Sequence, residues 1–187
     1  MVRRLSNWLY RVVNGWVALA GLVIFLLFTS LVLPQQASKT AQQLGTDESP
    51  DTSLFYTPSV LYRLAESYGV EGRQAYVRAR FTFDVAWPLV YTFFLVTTLT
   101  WLFGRALPPS SPARLVNLAP LAAALFDFLE NASTSWVMLR YPTQLPAVDW
   151  LAGVFTFLKW ALIAVNFVLV LLGIALVAWK RLQARKP

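Results

Sequence analysis

The sequence contains no cysteine and no histidine. Without cysteine there is no disulfide, no thiolate nucleophile and no iron–sulfur or thiolate haem ligand. Without histidine there is no His-ligated haem, no HExxH zinc site and no Ser-His-Asp triad. Any metal site would have to be built from carboxylates and carbonyls, which suit hard cations. Charge is also scarce. Only 13% of the 187 residues are Asp, Glu, Lys or Arg, and just nine are acidic. Soluble domains carry about 25% charged residues, so this chain is too apolar for water. The shortage excludes a soluble enzyme, a nucleic-acid-binding domain and a secreted disulfide scaffold.

What fills the chain instead is hydrophobic residues, 57% of the total. They gather into four runs of the roughly 20 residues that a membrane-crossing helix needs. The runs extend from about Val12 to Leu33, Phe81 to Phe103, Leu115 to Leu139 and Ala147 to Trp179. The expected fold is therefore all-α, a polytopic membrane protein built as a four-helix transmembrane bundle in one domain over residues 1–187. The first run is longer than the 7–15 apolar residues of a signal peptide, and Gln35 is poorly placed for cleavage after Ala37. It reads as a retained anchor.

The net charge of +7 is distributed around the apolar runs rather than on a nucleic-acid-like face. One side of the expected bundle carries Arg3, Arg4, Arg11, Arg105, Arg114, Lys180, Arg181, Arg185 and Lys186, with no acid. The other carries Lys39, Arg63, Arg73, Arg78, Arg80 and Arg140 mixed with Asp47, Glu48, Asp51, Glu66, Glu71 and Asp149. The positive-inside rule makes the first side cytoplasmic. Both termini are then inside, as expected for a protein of the bacterial cytoplasmic (inner) membrane. Trp8, Trp101 and Trp179 fall near the inner face, and Trp136, Tyr141 and Trp150 near the outer.

Residues 34–80 form the one sizeable extracytoplasmic segment. Gln35 to Asp51 is polar and reads as a loose strap. Thr57-Pro58 reads as an N-cap followed by an N1 proline, opening a helix to about Tyr68 that stops at Gly69. A second helix from Glu71 is expected to run straight into span two. This helical hairpin should lie with its apolar stripe (Val60, Leu61, Leu64) on the bundle or the headgroups.

Charges inside spans cost roughly 2.5–3.5 kcal/mol each on insertion scales, so they mark functional candidates. Asp127 and Glu130 lie deep in span three, Lys159 in span four, and Asp84 nearer the outer edge of span two. At a rise of 1.5 Å per residue, Lys159, Glu130 and Tyr91 lie roughly 14, 15 and 16 Å below the outer face, with Asp127 about one turn deeper. Three helices thus bring polar groups to one layer. Asp127, Glu130, Asn131 and Thr134 share a helix face. So do Thr156, Lys159 and Asn166, and so do Asp84, Pro88 and Tyr91. Pro88 leaves the Asp84 carbonyl without its usual helical partner. Trp87, Tyr91 and Trp160 offer ring faces to a cation, or simply pack the core.

The stretches YTPSVLYRLAESYGVEGRQAY (56–76), FDVAWPLVY (83–91), LAPLAAALFDFLEN (118–131) and FTFLKW (155–160) cover about half the chain. In them the chain resembles a family of small, uncharacterised four-helix bacterial integral membrane proteins. That resemblance implies the four-helix fold and no activity. In size, span number and intramembrane carboxylates the chain is also similar to the sterol-isomerase and sigma-2-receptor group. The isomerases' histidine is absent, and span one has no acid, so that likeness is architectural.

Three functions compete. In the first, Asp84, Tyr91, Asp127, Glu130, Asn131 and Lys159 form a polar intramembrane site for a lipid headgroup, an amine, or a cation or proton, with a possible link to transport. In the second, the cluster only fixes helix packing, and the chain is a structural or assembly subunit of a larger membrane complex or a homo-oligomer. In the third, Asp127 or Glu130 is a general acid or base of a lipid-modifying enzyme, with Lys159 stabilising negative charge. No catalytic signature accompanies it. The expected partners are the lipid bilayer and a lipid or small cationic ligand, with no nucleic acid and no cofactor.

Overall fold

The computed structural model describes residues 1–50 and 53–184. Asp51, Arg185 and Lys186, counted above in the charge balance, lie outside the described residues. Every regular element among those described is helical: α1 (Val2–Val12), α2 (Gly15–Leu27), α3 (Leu33–Leu44), α4 (Pro58–Ser67), α5 (Gly69–Arg80), α6 (Phe83–Ala106), α7 (Ala119–Arg140) and α8 (Pro146–Gln183). Four helical stretches are long and apolar enough to cross a membrane: Gly15–Leu44, Gly69–Ala106, Pro112–Arg140 and Pro146–Gln183. Their outward surfaces are apolar where a soluble protein would be polar. Leu19, Val23, Leu26, Val168 and Leu171 are all exposed, as a lipid-facing belt requires.

The first span does not begin at Val12. Val13 and Asn14 adopt extended conformations, and the Asn14 side chain caps α2 by accepting from the Trp16 and Val17 amides at 2.9 and 3.1 Å. Val12 therefore closes a separate amphipathic helix, α1. That helix docks on the bundle through polar contacts. Ser6 Oγ donates to Asn117 Oδ1 at 2.8 Å, and Asn117 Nδ2 donates to Thr100 Oγ1 at 3.2 Å. Tyr10 Oη donates to the Arg114 carbonyl at 2.7 Å. Burial raises the Tyr10 phenol above its usual range, which keeps it a donor.

At its other end the first span outlasts its apolar run. The expected strap after Gln35 is helical to Leu44. Pro34 would clash with the carbonyl one turn earlier in a regular helix. A π-helical turn over Phe28–Val32 widens the backbone just before it. The Thr29 and Ser30 hydroxyls donate back to the Phe25 and Leu26 carbonyls at 2.8 and 2.6 Å. Beyond Pro34 the run QQASKTAQQ is rich in good helix formers. Gly45, at φ +70°, ends it with a left-handed cap.

The hairpin follows expectation more closely. Pro58 is N1 of α4, and Gly69, at φ +62°, turns the chain into α5. Leu61, Leu64 and Ala65 are buried with Val137, Met138 and Ala152, so the apolar stripe lies on the bundle. The connection to the second span is not straight. Thr82, at φ −123° and ψ −85°, breaks the helix between α5 and α6. A second apolar cluster (Tyr91, Leu95, Leu99, Phe103, Ala123, Ile163) fills the half of the bundle nearer the termini. The polar layer lies between the two.

Candidate functional site

Asp127 and Glu130 project from α7 toward α8, where Lys159 meets both. Its Nζ forms an ion pair with Glu130 Oε2 and lies 3.8 Å from Asp127 Oδ1. The second Asp127 oxygen accepts from Tyr91 Oη of α6 at 3.1 Å. Three spans thus converge on one pair of carboxylates. Relative exposure is 3% for Asp127, 0% for Glu130 and 4% for Lys159. Charges this deep persist only when paired and hydrogen-bonded.

The proline expectation finds its partner here. Pro88 has no N–H to give the Asp84 carbonyl, and Asn131 Nδ2 donates to that oxygen at 3.4 Å instead. Asn131 is therefore an interhelical tie between α6 and α7. On α8, Thr156 and Asn166 share the buried face of Lys159, but both donate to their own helix backbone, at the Ala152 and Leu162 carbonyls. They support the face rather than the ion pairs.

A cavity of about 470 Å³ opens above this layer. α3 forms one wall through Gln36, Thr40 and Leu44; Tyr76 and Arg80 of α5, with Asp84 and Trp87 of α6, form another. Asp127, Lys159 and Trp160 line its depth. Most of the wall is apolar. Arg80 is 5% exposed; its Nη1 is 3.0 Å from Asp84 Oδ2, and its guanidinium stacks 4.2 Å from the Tyr76 ring centroid. Lys159 Nζ lies 5.3 Å from the Trp160 ring centroid. The Trp160 Nε1 donor is buried without an acceptor among the described residues.

The six residues singled out in the sequence divide accordingly. Asp84, Asp127 and Lys159 face the cavity. Tyr91 and Glu130 are buried behind it, holding Asp127 and Lys159 in place. Asn131 ties helices together. Sequence reasoning missed Arg80, which it grouped with surface charges; its i,i+4 spacing to Asp84 was the available signal. It also misses the α3 wall, because the polar composition of that segment reads as strap. Among the described residues, no group of three or more His, Cys, Asp or Glu is arranged to hold a metal ion.

No protein-family model, curated protein or solved structure matches this chain. The resemblance to small four-helix bacterial membrane proteins therefore stands on the quoted residues alone.

Proposed function

We propose that this chain is a multi-pass protein of the bacterial cytoplasmic membrane that binds a small amphiphile with a cationic head in the cavity under α3. The positive-inside balance orients the termini to the cytoplasm and the cavity mouth, with the α4–α5 hairpin, to the opposite side. The observation that carries the reading is the contact between the cavity and the buried ion pairs. Asp127 and Lys159 line it, so the polar layer is reachable and not sealed. Asp84 and Asp127 present carboxylate oxygens to the cavity, and an ammonium group is a donor suited to them. Trp87 and Trp160 add π faces, and the apolar wall suits an alkyl chain. A cavity of about 470 Å³ falls within the ordinary range for small-ligand sites.

The test is titration of the full-length protein in phosphatidylcholine nanodiscs with dodecylamine, followed by native mass spectrometry. Asp127→Asn keeps the shape and leaves the Lys159–Glu130 pair intact. It should weaken amine retention about tenfold, equivalent to about 1.4 kcal/mol. Equal retention by wild type and variant would sink the reading. The second reading, a cluster that only fixes helix packing, draws on the sealed position of Glu130. It expects no amine retention in either form, and a lower Tm for Glu130→Gln.

A further inference from the structure

At the opposite end of the bundle, α1 and the connection after α6 flank an open pocket of about 680 Å³ lined by Arg4, Asn7, Tyr10, Arg11, Pro109 and Arg114. Arg4, Asn7 and Arg11 recur at i, i+3 and i+7, so they share one face of α1. Arg114 lines the pocket from the connection after α6. Its guanidinium stacks 3.7 Å from the Tyr10 ring centroid, and its backbone carbonyl holds the Tyr10 hydroxyl at 2.7 Å. Stacking occupies a face of the guanidinium and leaves its in-plane N–H groups to donate. The buried Arg114 Nε has no acceptor among the described residues.

Among the described residues, no carboxylate forms an ion pair with these groups. The sequence has no Asp or Glu before Asp47, between Asp84 and Asp127, or after Asp149. Three guanidiniums around an amide and a phenol match the oxygens of a phosphate. Zwitterionic headgroups gain little, since the pocket offers their ammonium no acid. A separate edge of α1 is apolar: Val2, Leu5, Trp8 and Val12 are all exposed. A helix with one apolar edge and one arginine face lies in the membrane interface, its arginines at headgroup depth.

We propose that this pocket is a binding site for the phosphate of an anionic phospholipid, whose acyl chains run beside the exposed apolar edge of α1. The site is independent of the cavity under α3. Native mass spectrometry of the full-length protein in phosphatidylcholine micelles, titrated with phosphatidylglycerol, tests it. The wild type should retain one phosphatidylglycerol with about tenfold preference over phosphatidylcholine. The double variant Arg4→Gln/Arg11→Gln should lose that preference. Arg3→Gln removes a like charge from α1 outside the pocket and should leave it unchanged. Equal losses in the double variant and in Arg3→Gln would show diffuse attraction and overturn the site. So would equal retention of the two lipids by the wild type. Displacement of the lipid by millimolar sodium phosphate would assign the pocket to a soluble anion instead. Arg114→Gln also touches Tyr10, so retention is read alongside its Tm. An unchanged Tm with undiminished lipid preference would likewise count against the site.

Discussion

At the hairpin end of the bundle, Arg63 meets Glu48 at 2.9 Å, Arg80 meets Asp84 at 3.0 Å, and Lys159 is flanked by two carboxylates. At the terminal end, Arg114 meets a phenol ring and a carbonyl-bound hydroxyl, and Arg4 and Arg11 have no acid within their stretch of sequence. At the first end these three cations meet carboxylates, two of the pairs beside a cavity. At the second, Arg105 and Lys180 meet backbone carbonyls and Arg114 a phenol ring, with no carboxylate partner among the described residues. The difference separates two roles for charge in one small chain. Buried pairs tie three helices together. Arginines flanking apolar helices are the pattern that the positive-inside rule reads.

The contrast breaks most severely at Lys159. Lys159→Met leaves Glu130 and Asp127 buried without their cation, and the loss should be about 3–5 kcal/mol. Thermal unfolding in detergent reads it as a large fall in Tm. Adding Glu130→Met should recover part of that fall, because a well-packed apolar pair can replace an ion pair. At the terminal end, Asn117→Ala cuts the Ser6–Asn117–Thr100 chain of hydrogen bonds. The expected cost is about 1–3 kcal/mol, concentrated on α1. Faster tryptic cleavage at Arg11 with a nearly unchanged Tm would fit local release; a global fall in Tm would mean that α1 folds as one unit with the bundle. The smallest effect belongs to Arg63→Gln. Both partners of that pair are more than half exposed, and less than about 1 kcal/mol should be lost. A larger drop would mean that the outer ion pairs stabilise the hairpin in a way the buried layer does not.

Much of this was legible in the residues. Apolar runs located the four spans, Thr57-Pro58 and Gly69 bounded α4, and 1.5 Å per residue brought Tyr91, Glu130 and Lys159 to one depth. Helical periodicity also placed Asp127 and Glu130 on one face, where Lys159 meets them. The failures came where composition and conformation part. α3 is polar and reads as strap, although Gln, Ala and Lys are good helix formers; polarity reports environment, not backbone state. The π turn that carries the helix past Pro34 has no pattern in single-residue propensity. The break at Phe81-Thr82 was equally silent. The burial of Arg80 is not legible in its own helix, because it depends on α3, which comes from an earlier part of the chain to line the same cavity.

The pairing across α7 and α8 bears on how the chain is made. α7 emerging alone would enter lipid with Asp127 and Glu130 before their cation exists. On insertion scales two central carboxylates cost roughly 5–7 kcal/mol, at about 2.5–3.5 each. α8 begins only a few residues after α7 ends, at Pro146 after Arg140, and carries Lys159 to the same depth. The lowest-cost route into the bilayer is to partition the two as one helical hairpin with its charges already joined. Each span then serves as the other's escort, and a ribosome stalled between them would leave α7 poorly anchored.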